Sequence, residues 1–152
     1  MSAQLAFRVD QSNWIRIRDA NPTARGIFLR HYSYRPYRDG RRPQKFVGPG
    51  EYVALITPEA DALFVWRKFI SGDGQQGVNC SVFRNESRFR SSDLIVEASC
   101  IAWEKWPGER LYTYVNPRKI RSTNPGYCFL MAGWRRCGIT KVNRLVILEK
   151  SA

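Results

Sequence analysis

The chain reads as an α/β (α+β) domain in which strands and helices share one core. Three observations predict it. Short runs rich in β-branched and aromatic residues recur along the chain. The second half runs helix, strand, helix, strand, strand, with start and stop signals at the helix ends. Finally, 152 residues at 43% hydrophobic content suit one domain, 1–152, with a substantial core.

In order, 5–9 is expected as a first strand, and Trp14-Ile15-Arg16-Ile17-Arg18 alternates apolar and basic residues as a second extended piece. Asn21-Pro22-Thr23 is a capped helix start, and that helix carries Ile27, Phe28 and Leu29 and ends near His31. Residues 34–50 form a long Pro-, Gly- and Arg-rich connection, of the kind that is usually functional or disordered. Segments 51–56 and 62–66 make an antiparallel pair, turned by Thr57-Pro58-Glu59-Ala60-Asp61, and 79–84 is the next strand.

Ser91 or Ser92 is the expected cap of a central helix, with Asp93 in its first turn, where negative charge complements the dipole. Leu94, Ile95, Ala98, Ile101 and Ala102 recur at helical spacing as its buried stripe, and Pro107-Gly108 ends it. A strand over 110–115 and a basic loop over 117–121 follow. Asn124 is then expected to cap a short helix with Pro125 at its first position, and Gly133 to close it after about two turns. Strands near 135–139 and 144–149 meet through Lys141-Val142-Asn143. This order splays two strands around a helix end, which builds a cleft for a cofactor or substrate.

Twenty-five basic residues against 13 acidic ones leave a net charge of +12, a field that attracts polyanions and makes nucleic acid the leading partner. The plain alternative is a soluble basic protein. The expected DNA footprint is Arg35, Arg38, Arg41, Arg42 and Lys45, interleaved with Tyr34, Tyr37 and Phe46, joined by Arg118, Lys119 and Arg121. Basic groups would neutralise phosphates while the aromatics stack on a base displaced from the duplex; a solvated basic face is the ordinary alternative. Cys80, Cys100, Cys128 and Cys137 lack CxxC or metal-finger spacing, so they are expected as buried free thiols, Cys100 and Cys128 on apolar helix positions, in a reducing cytoplasm and with no metal site. No charged leader and no run of ~18 apolar residues is present, so the expectation is a cytoplasmic protein without a membrane partner.

His31 is the single histidine, and its unperturbed pKa suits proton transfer near neutrality. It can serve as a base toward an amine, as a metal ligand, or simply as a hydrogen-bonded core residue. Tyr32 and Ser33 offer hydroxyls that equally well pack and cap. In the polar cluster Arg84-Asn85-Glu86-Ser87, Glu86 is the best-placed carboxylate for base chemistry, against the alternative of a solvated loop.

Asn124…Phe129…Gly133-Trp134-Arg135-Arg136…Gly138 resembles the GNAT acetyltransferase superfamily, in which an Asn opens a helix, a Tyr lies near its end and a Gly-aromatic-basic segment starts the next strand. Across most of the chain, three segments resemble the phage Mom-type DNA adenine-modification proteins. They are His31-Tyr32-Ser33, Arg84-Asn85-Glu86-Ser87…Ser91-Ser92, and the aromatic strand ending in Asn116-Pro117. The resemblance implies a GNAT-like splayed mixed, mostly antiparallel sheet flanked by helices, and an acyl-type group moved from acetyl-CoA or a related acyl donor to a nucleobase amine in DNA. It also implies a catalytic set of His31, Tyr32, Ser33, Glu86 and Asn116, with Arg88, Arg90, Ser91, Ser92 and Asn124 holding the donor.

The chain departs from these families in three places. Arg88-Phe89-Arg90-Ser91-Ser92 replaces the glycine-rich pyrophosphate loop, so phosphates would meet side-chain clamps rather than a bare backbone cradle. Phe129 stands where many acetyltransferases keep a proton-donating Tyr. Asn116 stands where the Mom-type strand ends in an acid, and an amide is not a base. Two other functions therefore stay open: a non-enzymatic nucleic-acid-binding protein on a degenerate acetyltransferase scaffold, and an acetyl-CoA-dependent enzyme acting on a small-molecule or protein amine.

Overall fold

The computed structural model describes residues 7–8, 12–31, 40, 42–70, 72–119 and 124–152. Its elements are β1 (Phe7–Arg8), β2 (Ile15–Ile17), α1 (Pro22–Phe28), β3 (Glu51–Ile56), β4 (Ala62–Lys68), β5 (Val78–Asn85), α2 (Ser91–Lys105), β6 (Leu111–Val115), α3 (Tyr127–Met131), β7 (Arg135–Ile139) and β8 (Val146–Lys150). The eight strands form one sheet in the order β1-β2-β3-β4-β5-β6-β8-β7. Every neighbouring pair is antiparallel except β5 and β6, which run parallel. The mixed, mostly antiparallel sheet with helices on its faces is thus present.

Side-chain alternation divides the core between the two faces. Val53 and Leu55 of β3 and Phe64 and Trp66 of β4 point to the face covered by α2 and α3, while Ala54, Ile56, Leu63 and Val65 point to the face covered by α1. Burial on both faces is why β4 reads as an unbroken apolar run. Two buried indoles tie α2 to the sheet: Trp14 donates to the Leu94 carbonyl at 3.0 Å and Trp66 to the Ala98 carbonyl at 2.8 Å.

Two irregularities shape the middle of the sheet. Val65 pairs with Val82 and Trp66 with Cys80, so Ser81 is an extra residue in β5, a β-bulge. It inverts the side-chain pattern: Val78 and Cys80 face α2 before the bulge, whereas after it Val82 faces α1 and Phe83 faces α2. In addition, the parallel β5–β6 pairing covers just Val78–Cys80 against Leu111–Thr113, after which the two strands part.

The helix ends bear out two expectations and correct two. The Asn21 side chain does accept from the Thr23 and Ala24 amides, as the Asn-Pro-Thr start predicts. The cap of α2, however, is Arg90, with no side-chain cap hydrogen bond; Ser91 and Ser92 lie inside the helix. Asn124 does not cap α3 either, because Gly126 at φ +80° turns the chain into the helix two residues later. Gly133, at φ +92°, ends α3 as expected. The Gly133 amide donates to Leu130 and the Trp134 amide to Phe129, a Schellman arrangement sealed by the Phe129 and Trp134 rings 4.9 Å apart. All four thiols are free, but only Cys80 is fully buried: Cys100 is exposed rather than on the buried stripe of α2, Cys137 on β7 is exposed too, and Cys128 is half-buried.

Candidate functional site

Where β5 and β6 part, a cavity of about 330 Å³ opens, lined by Cys80 and Phe83 of β5, Thr113 and Val115 of β6, Asn124 with Cys128 and Phe129 of the α3 segment, and His31. Both strand walls follow from the three-residue pairing: past Cys80 and Thr113 neither strand hydrogen-bonds to the other. His31 arrives from the opposite face. The α1 helix packs Ala24 and Ile27 on the α1 side of the sheet, and the turn after it, closed by the His31 amide on the Phe28 carbonyl at 2.9 Å, delivers the imidazole to the unpaired stretch of β5.

The imidazole is 7% exposed and hydrogen-bonds to the Phe83 backbone. Burial, together with the nearby Arg84 guanidinium, pushes its pKa down to about 4. It is therefore neutral at pH 7, able to accept a proton but a weak base. The thiols beside it offer no nucleophile. Burial raises the pKa of both Cys80 and Cys128, keeping them protonated.

Glu86 is committed elsewhere. Its carboxylate accepts from Arg30 Nε and Nη2 at 2.7 and 2.8 Å and from Arg84 Nε at 2.6 Å, and these bonds hold its pKa at about 2. A carboxylate so stabilised is a poor proton acceptor. Its role here is a clamp that joins the end of α1 to the end of β5 beside His31.

The turn between β5 and α2 is stapled by Asn85, whose amide nitrogen donates to the Phe89 carbonyl at 2.8 Å and to Ser91 Oγ at 2.9 Å. Arg88 and Arg90 are exposed, Ser92 is buried, and none of Arg88, Arg90, Ser91 or Ser92 lines the cavity with His31. Asn124 does line it, and accepts a hydrogen bond from Arg136. Asn116 makes a turn at the end of β6, its side chain accepting from the Arg118 amide at 3.1 Å. Arg42, Lys45, Arg118 and Lys119 are exposed. Tyr32, Ser33, Arg35, Arg38, Arg41 and Arg121 lie outside the described residues.

Of the expected catalytic and donor-holding residues, the structure gathers His31 and Asn124 in one cavity. It also shows what the sequence patterns did not single out. Cys80, Ser81 and Tyr114 line a second opening as well, a groove of about 920 Å³ on the α1 side, so the parted strands open on both faces of the sheet. Among the described residues no cluster of metal-ligating side chains occurs, and no helix is long and apolar enough to cross a membrane. No protein-family model, no curated protein and no solved structure matches this chain.

Proposed function

We propose that this chain is a GNAT-like acyltransferase of the Mom type that moves a small acyl-type group from an acyl-CoA or related donor to a nucleobase amine, that of adenine, in DNA. The observation that carries the reading is a parallel strand pair that parts after three positions, with a neutral His31 set in the opening. The strand order, in which β8 lies inside β7, and the helix-after-strand placement of α2 and α3 suit the same fold. The net charge of +12 and the exposed Arg42, Lys45, Arg118 and Lys119 suit a nucleic-acid acceptor.

The first turn of α2 fits a donor's phosphates in charge. Its N-cap carries no side-chain hydrogen bond, so the backbone amides there are free of a cap, and Arg88 and Arg90 stand exposed beside them. A thioester donor, when bound, supplies an electrophilic carbonyl and a thiolate leaving group. His31 takes the proton from the amine nitrogen as the new C–N bond forms and the C–S bond breaks, the point at which that proton is most acidic, so a weak base suffices.

Mass spectrometry of nucleosides from DNA of cells expressing the chain tests this directly. A new adduct is expected, lost in His31→Ala without loss of folding; retained modification in that variant removes His31 from the mechanism. The low pKa of His31, the doubly clamped Glu86 and the burial of Phe129 in the core favour a second reading, a non-enzymatic nucleic-acid-binding protein. DNA binding with a steep salt dependence but no acetyl-CoA retained in equilibrium dialysis supports that second reading. Thioester binding with little affinity for DNA points instead to a small-molecule or protein amine as acceptor.

A further inference from the structure

The groove on the α1 side carries unpaired polar atoms that the core does not explain. Arg67 of β4 and Asn79 of β5 are direct cross-strand partners. Both lie on the α1 face, since Trp66, Val78 and Cys80 face α2, and their side chains therefore stand next to each other. Asn79 is 4% exposed, yet its Oδ1 accepts no hydrogen bond; Arg67 Nε and Ser81 Oγ are likewise buried without a partner. All three residues line the groove. A buried amide oxygen or guanidinium N–H left unmade costs free energy, so three together mark a place shaped for something else.

The charges narrow what that is. Arg67 has no acidic partner among the described residues; its guanidinium lies 3.6 Å from the Phe69 ring centroid, and burial lowers its pKa. A side chain at Gly48, where φ is +91°, would collide with the Arg67 guanidinium, so the missing Cβ leaves room for it. An unneutralised guanidinium calls for an anionic oxygen, and a lone amide oxygen calls for an N–H donor. Between them, Phe69, Tyr114 and Ile147 offer ring and apolar surface in the same groove.

We infer that this groove binds a nucleotide carrying an exocyclic amine, its phosphate on Arg67 and its amine on Asn79 Oδ1, with Ser81 adding a hydroxyl at the bulge. Asn is well suited to the edge of adenine, where one amide can accept from the amine and donate to the ring nitrogen. That the nucleotide is the acceptor of the transfer rests on the proposed function; its binding does not. Ser81 and Tyr114 are shared with the cavity that holds His31, so the groove adjoins that cavity.

Calorimetric titration of the full chain tests the site, with dAMP, deoxyadenosine, inorganic phosphate and the purine nucleotide lacking the 6-amino group as probes. Wild-type protein should bind dAMP saturably, and about tenfold or more tighter than either deoxyadenosine or the amine-free nucleotide. Arg67→Met, which keeps an unbranched chain over Phe69, should erase the preference for phosphate and leave that for the amine. Asn79→Leu should do the reverse. Absence of saturable dAMP binding, or wild-type binding by both variants in folded form, overturns the site. If dAMP binds as described while cellular DNA gains no adduct, the transfer reading fails and the site stands. If DNA is modified while both variants bind dAMP normally, the site fails and the transfer reading stands.

Discussion

The two faces of the sheet are finished differently. On the α2 side one apolar cluster runs without a break across β3, β4, β5, β6 and β8, roofed by α2 and α3. On the α1 side the apolar cluster stops at β5: it takes Ile17, Ala54, Ile56, Leu63, Val65 and Val82, the helix residues Ala24 and Ile27, and Phe46 with Val47 from the preceding connection. Alongside it, from Arg67 of β4 and Asn79 of β5 to Tyr114 of β6 and Ile147 of β8, the same face lines an open groove. Where a roof exists the chain invests in stability; where it ends, the side chains keep polar atoms unspent.

The comparison breaks most visibly at its covered face. Trp66 is fully buried, packs 4.6 Å from Phe64 and 6.2 Å from Trp134 between ring centroids, and anchors α2 through Ala98. Trp66→Ala should cost about 3–5 kcal/mol, read from the shift of the urea unfolding midpoint.

Next comes the pH response of the seam. His31 has its folded pKa pushed from 6.5 to about 4. As pH falls below 6.5 the unfolded chain takes up the proton first, so the stability present above 6.5 declines between 6.5 and about 4, by about 2–3 kcal/mol. Unfolding midpoints across that window should show the decline, and His31→Gln should flatten it. Glu86, whose folded pKa is depressed to about 2, contributes a separate loss below 4.5, which His31→Gln leaves in place.

A smaller effect is expected at the end of α3. Gly133→Ala puts a side chain at φ +92° in the Schellman turn and should cost about 1 kcal/mol in the same urea assay. The smallest sharpens the open face. Arg67→Met removes a desolvated, unpaired guanidinium and should raise stability by about 0.5 kcal/mol, read as a higher unfolding midpoint. A fall instead would mean that Arg67 supports the sheet.

Much of the fold was legible because periodicity is strong where burial is one-sided or complete. The stripe Leu94, Ile95, Ala98, Ile101 and Ala102 is the buried face of α2, and the 51–56 and 62–66 runs pair antiparallel as expected. The caps were less legible. Ser91 and Asn124 are good capping residues by type, but Ser91 is used by Asn85 and Asn124 by Arg136, so tertiary partners took the side chains away. The site was the least legible part. His31 stood out as the single histidine and does line the cavity, whereas Arg67 and Asn79 read as ordinary polar residues at strand ends. Their meaning depends on cross-strand register, which a period-two pattern does not reveal.

One extra residue accounts for much of this. If Ser81 were paired in a regular strand instead of bulged, β5 would keep a single phase from Val78 to Asn85, sending Phe83 to the α1 face and Val82 to the α2 face. The wall of the cavity would then exchange an aromatic for an aliphatic side chain, and Phe83 would lose its ring contacts with Phe64 and Phe129. In this protein the bulge, rather than any one side chain, decides which residues of β5 belong to the core and which to the opening.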